Sequence, residues 1–180
     1  MTTDESAPRH LCHGPVRPEL VPLGLALVAS TAVVWGDVTL GADVSIWYGA
    51  VVRGDCAPLT IGEGTNVQDL VVVHADTDIP VDIGCGVTIG HSAVIHGRRV
   101  GDHCLIGIGA KLLGRSEIGE GSVIAAGAVI REGTIIPPRS LVAGVPGRIM
   151  RQVTDEELAE FASHAATYVA LAASHRCPGS

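Results

Sequence analysis

The chain has 180 residues, enough for one domain with a substantial core, and no second domain is expected. A net charge of −7 leaves no basic footprint for nucleic acid or anionic lipid, so small molecules or proteins are the expected partners. Gly is 23 and aromatics only 3%, which favours many short, tightly turned strands over the packing of large side chains.

Residues 1–19 read as a polar N-terminal segment. Met1 to Pro18 lacks a cationic-then-apolar signal pattern, and the apolar run from Leu20 to Ala29 is broken by Pro22 and Gly24 and too short to span a bilayer. Cys12, Cys56, Cys85, Cys104 and Cys177 are odd in number and scattered, with no C-x-x-C pair. A reducing compartment is the simpler reading, and the cytoplasm is the expected location.

From Val28 an aliphatic residue recurs at every sixth position, through Val34, Leu40, Ile46 and Val52. After an insertion the series resumes at Ile61, Val67 and Val73, then at Ile83, Ile89 and Ile95. After a skipped residue it runs from Val100 through Ile106, Leu112, Ile118, Ile124, Ile130 and Ile136 to Val142. Each hexad spends a short strand turning one aliphatic side chain inward, then a corner where Gly, Asn or Asp takes unusual dihedrals. Three hexads make one triangular coil, and stacked coils bury a core that no coil holds alone. Ile118-Gly-Glu-Gly-Ser-Val and Ile124-Ala-Ala-Gly-Ala-Val resemble the hexapeptide-repeat family, whose resemblance implies a left-handed parallel β-helix, here over 20–150.

Ala143-Gly-Val-Pro-Gly-Arg148 reads as a loop that terminates the coils. Residues 151–180 form a C-terminal helix and tail. Thr154 and Glu157 have capping-box spacing, and Leu158, Phe161, Ala165, Val169 and Ala172 share one helical face. An amphipathic α-helix from Thr154 to about Ser174 is therefore expected to pack along the prism.

If every third hexad falls on one face, Val34, Val52, Val73, Ile95, Leu112 and Ile130 stack, and the residues that follow them point outward. Arg53, His74 and His96 then occupy one column on successive coils. Coils lie about 4.8 Å apart, and two nitrogens on one tetrahedral ion at ~2.05 Å are roughly 3.3 Å apart, so two imidazoles in one column can lean onto the same metal. A solvated surface histidine is the commoner explanation for any single one, but shared placement argues against it. His91 belongs to the preceding face, and a trimer would let a neighbouring copy supply it. Three His and a water make an open catalytic site. The insertions around Cys56 to Thr60 and Ala75 to Asp82 leave the corner just after Arg53 and His74, so both are expected to overhang this face. His10, His13, His103, His164 and His175 lack the alignment and read as surface residues.

Arg53-Gly-Asp55, Asn66-Val-Gln68-Asp69, His74, Gly90-His91 and Ile95-His96-Gly97 are similar in order and spacing to the γ-class carbonic anhydrases, from Val34 to about Arg148. The resemblance implies a homotrimer in which His74 and His96 of one subunit and His91 of the next hold zinc, or iron or cobalt. It implies reversible hydration of carbon dioxide by a metal-bound hydroxide. It also implies that Arg53 pairs with acidic groups across the subunit interface, Asp55 and Asp69, that Gln68 and Asn66 orient water or bicarbonate, and that Tyr168 lies near the metal. The sequence departs from the family where a carboxylate would follow Arg-x-Asp, which is Cys56, and in the loop after His74, which is short. Two other readings stay open. One is a hexapeptide-repeat acyltransferase or thioesterase acting on coenzyme A esters, which Ala143-Gly-Val-Pro-Gly also resembles. The other is a non-catalytic trimer stabilised by its metal.

Overall fold

A computed structural model describes residues 20–176. Residues 1–19, with His10, Cys12 and His13, and residues 177–180, with Cys177, lie outside the described residues. The chain winds into a parallel-strand solenoid, a β-helix of about six turns, with one C-terminal helix.

Each predicted hexad falls on a strand, with Val33–Leu40 and Val51–Ile61 each spanning two, and the pairing register follows the aliphatic series. Val28, Ile46, Val67, Ile89, Ile106, Ile124 and Val142 stack on the first face. Val34, Val52, Val73, Ile95, Leu112 and Ile130 stack on the second. Leu40, Ile61, Ile83, Val100, Ile118 and Ile136 stack on the third. Together they form one apolar column in which Ile46, Ile61, Ile83, Ile89, Ile95 and Ile106 have essentially no exposed surface.

The corners explain the rest of the grammar. One corner carries left-handed backbone at Asp43, Gly64, Gly86, His103, Gly121 and Arg139. His103 is therefore a turn residue, of a type that tolerates this region better than most. Gly90 serves a different need: a β-carbon there would come within 2.8 Å of the Ile108 nitrogen on the next coil. Only glycine lets the coils close at the turn that carries His91.

Both ends of the solenoid differ from the simple repeat. Leu20–Leu23 folds back antiparallel on Ala26–Ala29 at one end. At the other, the expected terminating loop is a hairpin, with Arg148–Gln152 running antiparallel to Ser140–Ala143. A solenoid leaves an unpaired strand edge at each end, and a returning strand satisfies the backbone groups there.

The helix Asp155–Ser174 begins as its sequence signals. Thr154 accepts from the Glu157 nitrogen, Glu157 accepts from the Thr154 nitrogen, and Arg151 donates two hydrogen bonds to Glu157, each of 2.7 Å. Ala165 and Ala172 on the expected face are buried. His175 departs from the surface reading: its ring meets the Tyr48 hydroxyl at 2.7 Å and packs on Trp47, anchoring the helix end. No helix among the described residues is long and apolar enough to cross a membrane.

Two expectations follow. Ile106→Ala, in the centre of the column, should lower stability by about 2–5 kcal/mol, read by chemical denaturation. The Arg151 hydrogen bonds lower the Glu157 carboxyl to about 2 from an ordinary 4.5, so its contribution is present above pH 4.5 and is lost as pH falls through about 2. Acid titration of the helical circular dichroism should show this phase in the native chain and lose it in Arg151→Ala.

Candidate metal centre

The second face positions the candidate residues at its two edges. Backbone pairing sets Trp35 over Arg53 and Arg53 over His74, and the His96 nitrogen donates to the Leu112 carbonyl on the coil beyond. The expected column of Arg53, His74 and His96 thus lies along one edge. His91 lies at the opposite edge, in the corner through which the chain enters this face.

His74 Nδ1 and His96 Nε2 are 3.1 Å apart, close to the separation of two nitrogens sharing one tetrahedral ion, roughly 3.3 Å. His74 Nε2 is enclosed yet makes no hydrogen bond. Asp55 Oδ1 lies 3.3 Å from it, near enough for ionic attraction but not aligned as an acceptor. The chemistry of this donor set fits a divalent transition metal, and two ring nitrogens at this separation are what such an ion would draw together.

Each imidazole has its own carboxylate. Besides Asp55 at His74, Asp69 Oδ2 lies 2.9 Å from His91 Nδ1 and Asp76 Oδ2 lies 3.4 Å from His96 Nδ1. A carboxylate on one ring nitrogen fixes the tautomer and turns the other nitrogen outward as a ligand. Arg53 Nη1 binds Asp55 Oδ2 at 2.6 Å, and this hydrogen bond holds the Asp55 carboxyl below its ordinary value. Asp69, expected with Asp55 to meet Arg53 across a subunit interface, engages His91 within the chain.

The first insertion takes a form the sequence did not suggest. Val51–Ile61 is one continuous strand whose register shifts between Gly36 and Val38 of the strand it pairs with, so residues 55–58 bulge from it. The second insertion stacks on this bulge, and the Asp78 nitrogen donates to the Cys56 carbonyl at 3.4 Å. Together they bring Asp55, Cys56 and Asp76 to the His74 and His96 edge.

A directional chain of hydrogen bonds starts at the other edge. The His91 nitrogen donates to Gln68 Oε1 at 3.2 Å, Gln68 Nε2 donates to Asn66 Oδ1 at 3.1 Å, and Asn66 Nδ2 donates to Thr88 Oγ1 at 3.0 Å. Thr88 Oγ1 in turn meets His164 Nδ1 at 3.4 Å. Gln68, Asn66 and Thr88 are all buried, so this order fixes which way each amide faces. Tyr168, expected near the metal, packs on Trp47 and His164. Burial, with the nearby Asp69 charge, raises its phenol above the ordinary value. Thr88 and His164 were missed by sequence reasoning. Their only signal is that Thr88 stacks directly under Asn66 and that His164 precedes Tyr168 by one helical turn.

Among known proteins, residues 99–132 match the family "Bacterial transferase hexapeptide (six repeats)". A protein of Methanocaldococcus jannaschii named "Probable carbonic anhydrase" is 46% identical over 144 residues, 80% of this chain and 91% of that one. This chain belongs to the γ-class carbonic anhydrase-like hexapeptide-repeat family. The mitochondrial "Gamma carbonic anhydrase 1" of Arabidopsis thaliana is 45% identical over 156 residues, 83% of this chain. The present chain spans only 57% of that relative's length. The crystal structure of a "hexapeptide transferase family protein" from Anaplasma phagocytophilum superposes with a TM-score of 0.73 at 37% identity, covering 89% of this chain and 99% of that one. The γ-class family thus shares its solenoid with proteins named for group transfer.

Thr88→Val tests the polar chain beside His91. It leaves Asn66 Nδ2 with only the Val87 carbonyl at 3.4 Å, and a buried donor so weakened costs about 1–3 kcal/mol. Denaturant unfolding should register that loss, and Thr88→Ser should recover most of it.

Proposed function

We propose that this protein is a metal-dependent carbonic anhydrase that interconverts carbon dioxide and bicarbonate at the interfaces of a homotrimer. His74 and His96 of one subunit, with His91 of the partner subunit, would hold zinc, with iron or cobalt as alternatives. The observation that carries this reading is that each of the three imidazoles is backed by its own carboxylate. The placement of His91 at the opposite edge of the face supports a shared site, because neighbouring copies in a ring present different edges to one another.

When bound, the metal supplies Lewis acidity that makes water a nucleophile near neutral pH. The chain's own residues do the remaining work. Asp69 and Asp76 hold Nδ1 of His91 and His96 and leave their Nε2 atoms for coordination. Gln68 has its oxygen committed to the His91 nitrogen and one amide hydrogen to Asn66, so its second amide hydrogen is presented in a fixed direction to a bicarbonate oxygen. Arg53 and Asp55 form an ion pair that steadies the column beneath His74. Tyr168, with its phenol raised by burial, keeps its proton at neutral pH and acts as a donor rather than a base.

A second reading has support in the resemblance to the hexapeptide transferase structure: transfer or hydrolysis of a coenzyme A ester, with one histidine as general base. A lone base needs neither the second aligned imidazole nor three carboxylate partners. Calorimetry with coenzyme A separates the two, since measurable binding belongs to the second reading alone.

The direct test is metal content of protein purified without chelator, with stopped-flow hydration on the same sample before and after zinc loading. Three ions per trimer and activity that follows loading are expected. His74→Ala, His91→Ala and His96→Ala should each empty the site while the β-helix stays folded by circular dichroism. Full zinc occupancy in two of these variants would sink the coordination. Stoichiometric metal without hydration would leave the non-catalytic trimer.

A further inference from the structure

The chain of hydrogen bonds beside His91 has two unlike ends. At one end the His91 nitrogen is a backbone donor and can only donate. At the other, His164 Nδ1 meets Thr88 Oγ1 at 3.4 Å, and an imidazole nitrogen can donate or accept. Fixing the first end fixes each link in turn. Gln68 turns its oxygen to His91 and its nitrogen to Asn66, and Asn66 turns its oxygen to Gln68 and its nitrogen to Thr88. Thr88 Oγ1 accepts from Asn66 at 3.0 Å, so its single hydroxyl proton is left to donate. Among the described residues, His164 Nδ1 is the acceptor within reach of it. Thr88 is buried, and an unmet hydroxyl proton there would be costly. The order of the chain thus requires a neutral His164 with its own ring proton on Nε2.

A donor in the place of Nδ1 would favour the opposite order. Thr88 would accept from it and pass its proton to Asn66 Oδ1, and Asn66 Nδ2 would face Gln68 Oε1. Gln68 Nε2 would then meet the His91 N–H, donor against donor. The surroundings of His164 leave Thr88 as the group that selects its tautomer. The helix lies over Ser45–Ile46, Asn66–Val67 and Thr88–Ile89, strands that carry no charged side chain. On its own helix, Glu160 lies one turn before it and Tyr168 one turn after, with ring centroids 5.2 Å apart for His164 and Tyr168. His74, His91 and His96 each face a carboxylate instead.

We propose that His164 is a positioning residue for Gln68. As the terminal acceptor of the chain it sets the direction in which each buried amide faces, and so aims the free Gln68 N–H at the bicarbonate oxygen. The inference rests on the bicarbonate reading of the site given above and extends it to a helix residue that touches neither substrate nor metal. Its action is carried by three buried side chains, Thr88, Asn66 and Gln68, whose rotation is closed off by their neighbours.

Substitutions that change what residue 164 offers test this in the metal-free protein. Asn places Oδ1 where the imidazole has Nδ1, so His164→Asn keeps the acceptor, whereas His164→Lys offers donors alone and His164→Ala offers neither. Helix propensity ranks them the other way, with Ala and Lys above Asn. A merely structural role for this exposed helix position therefore predicts the opposite order. Nitrogen NMR of the native ring at mildly alkaline pH should show the Nε2–H tautomer. The Gln68 side-chain amide protons should exchange about fivefold faster in His164→Ala and His164→Lys, the factor one hydrogen bond is worth, and at near-native rates in His164→Asn. With metal loaded, KM for bicarbonate should rise by a similar factor in the same two variants while kcat changes less, and His164→Asn should restore it. A native Nδ1–H tautomer would overturn the inference, as would amide exchange that follows helix propensity or that no variant alters. The expected amide exchange in a native chain that hydrates no carbon dioxide would uphold the ordering of Gln68 by His164 and remove bicarbonate as its target.

Discussion

The hydrogen-bonded register between coils places Val52 under Val73 and Val73 under Ile95, and everything at the candidate centre inherits that alignment. Because side chains alternate between inside and outside, a slip of one residue would turn the aliphatic column outward and polar groups inward. The core cannot tolerate this, so the outward residue after each aliphatic is locked as firmly as the aliphatic itself. Arg53, His74 and His96 are aligned because valine and isoleucine must be. The approach of two imidazoles to 3.1 Å is thus supported by burial elsewhere in the same coils.

The repeat was legible because its physics is periodic. One aliphatic per hexad, corners that accept left-handed backbone and a fixed coil length suffice to derive three faces and the histidine column. The features that escaped are the ones that break the period. Nothing in the spacing of Cys56 to Thr60 says whether extra residues form a free loop or a bulge within a strand; pairing with both neighbouring coils decides it. The terminal hairpins arise because an edge must be covered, a demand that appears only once the solenoid has ended. His175 read as a surface residue, since helical periodicity tells which face is polar but not which coil lies beneath it; His164 is exposed as read, and only its contact with Thr88 escaped. The capping box was readable in full because its partners are three residues apart.

Charge gives the centre a character that neither histidine spacing nor fold conveys. Asp55, Asp69 and Asp76 stand against the single guanidinium of Arg53, so the imidazole nitrogens lie in a field that favours cations. Half-exposed ion pairs of this kind contribute little to stability. Their effect is directional: each fixes which edge of an imidazole or carboxylate faces the site. Asp76 belongs to the second insertion, so the shortened loop still places a carboxylate against His96.

A solenoid is nearly one-dimensional, with each coil meeting only its neighbours, so groups far apart in sequence converge only where excursions leave the repeat. This chain has two kinds, at opposite edges of one face. The insertions bring Asp55, Cys56 and Asp76 to His74 and His96. The helix, tied down by Arg151–Glu157 at its start and His175–Tyr48 at its end, brings Tyr168 and His164 to the edge where Gln68 and His91 lie. Neither edge alone carries all of His74, His91 and His96. On the intersubunit reading, one copy contributes the insertion edge and the next contributes the helix edge. The division of polar residues between the two edges is then the division of labour that a closed ring of identical chains requires.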